Sequence, residues 1–447
     1  MRGLKSTIFL IVVLIGLGSY IYFVTWKQGD TTDAKTEKVF AGLATDKINE
    51  LAITSESGEH TTVKKTGDEW RVTAPVDTKA SETDVTAVTS ALGSIDVTRV
   101  IDENPTALKD YGLDSPKIEI DYKSTDGKSG KLLVGEKNAT GASLYAKRND
   151  EKRVFLIPQY QEQSLNKSTF DLRDKSAMAI QHEKIDGMEA TVDGKTVQFA
   201  KNGSEWKMLK PVAARADFSA VEGVIGRLES AQMKSIVTNT ATPADLKTYG
   251  LDKPEVTINL ASGSSKATFE IGGKAADDTV YARDASKPMV FTVEKQLLDD
   301  VKKTADDYRR HDVFESRAFN VTHIEITRGS QKLVLDRVKA TKEGDADSWK
   351  RASPNPGDAD KEKVNAALAD MADINATAFQ DSTAKTGLDQ PAMIVAIKFE
   401  DGKKEEKVTF GKSGKDVFAA RPDEPGAEKV DATKYEEFAK QLDELSK

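Results

Sequence analysis

The 447-residue sequence contains no cysteine. That excludes disulfides, thiolate metal sites, cysteine nucleophiles and a lipid anchor attached through a thiol. Small secreted domains lean on disulfides when their cores are small, so each folding unit here must stand on its own apolar core. Histidine is scarce. His60, His182, His311 and His323 are the only four, and none falls in an H-x-x-x-H or H-E-x-x-H pattern. A zinc site would need them to converge with carboxylates; surface or interdomain positions are the better reading. Aromatic residues make up 7% of the chain, which gives little support to an exposed strip of sugar-stacking rings. There is no phosphate loop. The nearest phrase, Gly411-Lys412-Ser413-Gly414-Lys415, has the wrong spacing and joins two strands instead of entering a helix. There is no G-x-S-x-G nucleophile elbow. The 73 acidic residues nominate no particular carboxylate pair for glycoside hydrolysis. The sequence thus supplies no catalytic, cofactor-binding or metal-ligating residue, and an enzyme is not expected.

Long apolar runs are also missing, with one exception. Ile8–Val24 is almost wholly apolar, and no charge occurs from Ser6 to Trp26. At about 1.5 Å per residue, roughly 20 helical residues span a bilayer core. Tyr20, Tyr22, Phe23 and Trp26 crowd the far end, where amphipathic rings favour the headgroup layer, and Arg2 and Lys5 flank the near end. Residues 1–27 therefore read as a single-pass transmembrane anchor, with residues 7–26 in the membrane, the N-terminus in the cytoplasm and the bulk of the chain periplasmic or otherwise extracytoplasmic. The competing reading is a cleaved signal peptide with Gly16-Leu17-Gly18-Ser19 as its cleavage site. Residues 28–37 form a polar tether.

The net charge is −8. Without Arg2, Lys5 and Lys27 the remainder has 62 basic against 73 acidic residues, a balance of −11. Such a surface carries no electrostatic footprint for nucleic acid.

What the chain has is a threefold repeat. Beyond Trp26 the tryptophans are Trp70, Trp206 and Trp349, each in a similar phrase: EWRVTAP, EWKMLKP and SWKRASP. Pro75, Pro211 and Pro354 follow five residues later. Ser81, Asp217 and Asp360 then stand as helix N-caps. Val85, Val88, Leu92; Val221, Val224, Leu228; and Val364, Ala367, Met371 trace one apolar helix face in each copy. A second phrase recurs as YGLDSP, YGLDKP and TGLDQP, at residues 111–116, 249–254 and 386–391. Alternating strands follow, with Gly135, Gly272 and Gly411 in register and then LYAKR, VYARD and VFAARPD. The repeats run over 38–175, 176–313 and 314–447.

Each repeat reads as α+β: an antiparallel sheet with one main packed helix. Strands are expected at Asn49–Thr54, Gly187–Val192 and Val321–Thr327, each entering a hairpin. Proline ends the tryptophan strand because it cannot donate to the ladder. Gly112, Gly250 and Gly387 read as left-handed residues ending the helix. A four-strand meander and a terminal helical patch, around Gln159–Leu165, Glu294–Lys303 and Lys434–Leu445, close the unit. The tryptophans are expected between sheet and helix, as core and not as ligand platforms. Asp114, Asp252 and Asp389 could bind calcium, but three equivalent positions favour a side-chain turn bond instead.

These phrases resemble the repeating unit of a bacterial domain-of-unknown-function family, number 4340. The resemblance covers nearly all of the chain beyond the anchor. The third repeat departs from it, with Thr386 for the tyrosine of YGLD and FAAR for YAR. Family members resemble accessory envelope proteins encoded beside ABC-type transporter parts of the gliding-motility kind. The resemblance implies an envelope or transporter protein partner and supplies no catalytic residue. The expected function is a membrane-anchored scaffold or accessory subunit. The alternatives are a tandem binding module for cell-wall glycan, which would gain avidity from its copies, and, more remotely, an envelope hydrolase.

Overall fold

The computed structural model describes residues 16, 19–20, 37–149, 151–340 and 346–446. The anchor segment, 1–27, and the tether, 28–37, lie almost entirely outside them. Among the described residues no helix is long and apolar enough to cross a membrane.

Three antiparallel nine-stranded sheets follow one another along the chain. The first contains β1 (Ile48–Thr54), β2 (His60–Thr66), β3 (Glu69–Ala74), β4 (Thr78–Lys79), β5 (Arg99–Asp102), β6 (Ile118–Ser124), β7 (Ser129–Lys137), β8 (Ser143–Arg148) and β9 (Val154–Pro158). Their spatial order is β4-β3-β2-β1-β6-β7-β8-β9-β5. Two meanders meet where β1 pairs with β6, and β5 returns to pair with β9 at the far edge. The same order recurs between Gly187 and Glu294 and between Val321 and Val430. The chain forms two compact units, one ending at Lys175 and one beginning at Ser176; the second holds two of the sheets.

The main helices are Glu82–Ser94, Phe218–Glu229 and Lys361–Ala372. Ser81, Asp217 and Asp360 cap them, each side chain accepting a first-turn backbone N–H. Every residue of the three apolar faces traced in the sequence is buried. Each helix leaves one edge of its sheet and arrives at the strand on the opposite edge, so it must cross the sheet face. A second helical segment closes each repeat; the longest, Ala432–Ser446, buries Tyr435, Phe438, Leu442 and Leu445.

Contrary to expectation, the GLDxP phrase does not end the main helix. That helix stops at Ile95, Ser230 or Asp373, and an unanticipated edge strand intervenes at Arg99–Asp102, Ser235–Thr238 or Ala376–Gln380. Four or five residues with β-branched members give too little alternation to announce a strand on their own. Gly112 then ends a separate turn of 3₁₀ helix, Leu108–Tyr111, and Gly250 follows the short helix Pro243–Thr248.

The tryptophans are core residues. Trp70, Trp206 and Trp349 are 9%, 2% and 2% exposed. Trp206 also donates its indole N–H to Glu222 on the main helix, at 2.8 Å, whereas the indoles of Trp70 and Trp349 make no such bond among the described residues. Trp206→Phe should therefore cost about 1.5–3 kcal/mol more than Trp349→Phe, the worth of a hydrogen bond to a charged acceptor. Chemical unfolding of both variants measures the difference, and equal losses would refute it.

Candidate functional site: a buried ionic junction

The repeated landmarks prove to be the frame. Pro75, Pro211 and Pro354 all follow cis peptide bonds. Gly112, Gly250 and Gly387 take φ of 66°, 71° and 73°, where a side chain is disfavoured. Each lies against the strand glycine of its own repeat. A Cβ on Gly135 would stand 2.2 Å from the carbonyl oxygen of Tyr111, one on Gly272 2.4 Å from that of Tyr249, and one on Gly411 2.5 Å from that of Thr386. The two phrases recur because two backbones touch. Tyr111 packs edge-on against Tyr145 with ring centroids 5.1 Å apart, and Tyr249 packs against Tyr281 in a tilted arrangement at 4.6 Å. The two departures of the third repeat, Thr386 and Phe418, are the two members of this same pair, changed together.

Asp114, Asp252 and Asp389 are exposed, and their carboxylates make no hydrogen bond or ion pair among the described residues, so the turn bond expected of them does not form. No group of histidines and carboxylates among the described residues is arranged to hold a metal. The histidines serve locally. His60 bonds Thr54, His311 bonds the Ala376 carbonyl and His323 bonds Asp336. His182 lies between Glu222 and Glu229. Burial would raise the Glu222 carboxyl, but bonds from Lys201, Trp206 and His182 prevail and hold it at about 2.

Side chains that set one copy apart gather where the second repeat meets the third. The segment Tyr308–Val313 is stitched to both. The N–H of Asp217 donates to the Tyr308 carbonyl and that of Arg310 to the Arg215 carbonyl; further on, the N–H of Ala376 donates to the His311 carbonyl and that of Val313 to the Ile374 carbonyl. Arg309 is 3% exposed, and its guanidinium lies 3.9 Å from the ring centre of Phe379. Arg215 donates to Glu424 at 2.5 Å and to Glu428 at 3.4 Å. Arg421 donates to the Val313 carbonyl at 2.9 Å and to Glu406 at 3.1 Å. Glu406 also accepts the backbone N–H groups of Glu315 and Ser316, both at 2.9 Å. Three arginines thus face three glutamates in the interior, with Glu315 and Arg310 nearby.

Equivalent sheet positions show how unusual this is. Glu428 pairs with Ala419, where the other copies pair Phe155 with Ala146 and Phe291 with Ala282. A buried phenylalanine has become a buried carboxylate. Glu406, opposite Ile397, replaces Gly130 and Ala267. Withdrawing such charges from water costs several kcal/mol per ion, offset only by close pairing. The pairing is uneven. Glu406 is well bonded, and its carboxyl is held below the usual range although burial pushes it up. Glu428 is 4% exposed, its bond from Arg215 is long at 3.4 Å, and its Oε2 bonds nothing among the described residues. Burial pushes its carboxyl up to about 7, and Glu424 adds to that against the pull of Arg215, Arg309 and Arg421. Nothing local in the sequence marks Glu406 or Glu428; they meet the arginines only once the strands are in register.

No curated protein matches the sequence. Among solved structures, a DNA polymerase sliding clamp from Pseudomonas aeruginosa with ligand is 9% identical, over 88% of this chain and 93% of that one, with a TM-score of 0.17. The DNA polymerase III subunit beta of the same organism is 8% identical, over 86% and 91%, at 0.16. The corresponding subunit from Borrelia burgdorferi, in complex with a natural product, is 8% identical, over 86% and 90%, at 0.14. At such scores these likenesses carry no argument. The family described as a domain of unknown function, DUF4340, matches residues 70–211, 206–348 and 349–447. Its segments begin at Trp70, Trp206 and Trp349, so its frame starts on the third strand of each sheet. With three consecutive matches running from Trp70 to the last residue, the chain belongs to the DUF4340 family.

Proposed function

We propose that the protein is a membrane-anchored extracytoplasmic scaffold or accessory subunit, working with an ABC-type transport or gliding-like envelope system. The observation that carries this reading is the division of labour among its residues. Positions shared by all three repeats are spent on folding: buried tryptophans, capped helices and touching glycines. The most distinctive side chains are spent on fixing the second repeat against the third. Burying charge at a junction supplies register more than stability, which suits a part that holds a defined spacing. The apolar run Ile8–Val24 supports attachment to the inner membrane with the sheets outside it. The test is crosslinking in intact cells followed by mass spectrometry of the membrane fraction. The expected result is a reproducible permease or other envelope protein bound to the repeats; recovery of free monomer alone would remove this reading.

A further inference from the structure

A groove of about 790 Å³ lies on the second repeat. Its floor comes from three neighbouring strands, Ser235–Thr238, Val290–Glu294 and Thr279–Asp284. It opens because of two substitutions between repeats. Ser235 pairs across the sheet with Thr292. At the same place the first repeat pairs Arg99 with Leu156, and the third pairs Ala378 with Lys429. The first repeat fills the position with two large side chains and the third with a lysine beside an alanine, whereas the second has two small hydroxyls.

The lining is chemically specific. The Ser235 and Thr292 hydroxyls lie 2.7 Å apart, and each keeps hydrogen-bonding capacity beyond that bond. Tyr281 and Val237 add an aromatic and an aliphatic surface. At the rim Lys234 pairs with Glu294, and Lys295 with Asp299, so these charges offset one another. Asp277 and Asp278 remain. Both hold left-handed backbone, at φ 51° and 56°, in a loop secured by the Lys295 N–H to the Asp278 carbonyl and the Ala275 N–H to the Thr279 carbonyl. Their carboxylates bond nothing else among the described residues, and as acceptors they ask for donors.

We propose that this groove is a binding site for an uncharged, hydroxyl-rich ligand, the chemistry of a short glycan segment. Sugar hydroxyls donate to Asp277 and Asp278 and exchange bonds with Ser235 and Thr292, while a C–H face lies on Tyr281. An anion would meet the two carboxylates, and a purely apolar ligand would leave the hydroxyls and carboxylates unused. The volume falls within the range of about 300–1,000 Å³ usual for small-ligand sites. Because the paired hydroxyls occur at this position in the second repeat only, the site is not repeated and offers no tandem avidity.

The test uses the full chain in lipid discs free of sugar-based detergent, titrated with N,N′-diacetylchitobiose and separately with spermidine by calorimetry and ligand-observed NMR. The expected result is saturable disaccharide binding with a dissociation constant near about 1 mM or tighter. Ser235→Arg with Thr292→Leu installs the pair that the first repeat already carries on the same sheet position, so the fold tolerates it; affinity should fall at least about tenfold, or about 1.4 kcal/mol. Asp277→Asn with Asp278→Asn, at exposed positions, should also weaken binding, with the melting temperature unchanged in both double variants. No saturable disaccharide binding, binding indifferent to both double variants, or binding of spermidine alone would each overturn the proposal.

Discussion

Glu428→Gln is expected to stabilise the body formed by the second and third repeats at pH 8 and to leave it nearly unchanged at pH 4.5. In the folded protein the Glu428 carboxyl is raised from 4.5 to about 7, chiefly by burial. In the unfolded chain it titrates at its ordinary value. Between these two pH values the folded state holds a proton that the unfolded state has released. Stability therefore falls as pH rises through that window, and the loss is complete above it. At roughly 1.4 kcal/mol per pH unit the full displacement is worth about 3 kcal/mol. Glutamine cannot ionise, so the decline should vanish from the variant. It can still accept from Arg215, and its amide can donate toward Glu424, the carboxylate that now repels Glu428. Denaturant unfolding of the full chain at pH 4.5, 6 and 8 measures this, and hydrogen exchange across Tyr308–Val313 localises it. A wild type whose stability is flat from pH 5 to 8, or a variant that keeps the slope, would show that Glu428 is ionised throughout and better paired than its long contact to Arg215 implies.

His182 titrates in the opposite sense to the strong carboxylate beside it. Its bond to Glu222 raises the imidazole, against the effect of burial. Its contribution is complete at pH below the unfolded histidine value and lost as pH rises through the raised one. Glu222, held at about 2, contributes above the ordinary carboxylate range and loses its effect only in strong acid. Experiments on Glu428 therefore compare Glu428→Gln with wild type at each pH, so that the histidine cancels.

How much of this was written in the sequence follows from how local each feature is. The three helix faces, their caps and the first hairpins were legible because each depends on residues a few positions apart. The left-handed backbone of Gly112 and its counterparts is legible from the phrase itself; the reason the chain needs it there, contact with a strand glycine some 23 residues further on, is tertiary and therefore not. The edge strand Arg99–Asp102 escaped because its partner β9 lies more than 50 residues away and its own alternation is brief. Glu406 and Glu428 looked like two of many exposed acidic residues. Only strand register puts Glu428 in the place of Phe155 and Phe291. The transmembrane reading of Ile8–Val24 rests on composition and length alone.

The glycine contact supplies the other large expected effect. Gly272→Ala should destabilise the second repeat by about 2–4 kcal/mol, from forced displacement of packed backbone plus a lost hydrogen bond. A Cβ there would meet the Tyr249 oxygen at 2.4 Å, the Leu251 Cγ at 3.0 Å and the Gly250 carbonyl carbon at 3.1 Å. Two of these are backbone atoms and cannot swing aside as a side-chain tip would. The loop would have to lift, breaking the 2.8 Å bond from the Gly273 N–H to the Tyr249 carbonyl and parting Tyr249 from Tyr281. The neighbouring glycine is the control. A Cβ on Gly273 meets nothing closer than the Tyr249 oxygen at 3.5 Å, an ordinary contact, so Gly273→Ala should lie within about 0.5 kcal/mol of wild type. Urea unfolding followed through Trp206 fluorescence distinguishes the two. If the adjacent alanines cost the same, the loop yields to a methyl group, and the threefold recurrence of GLDxP with its strand glycine would need a cause other than backbone contact.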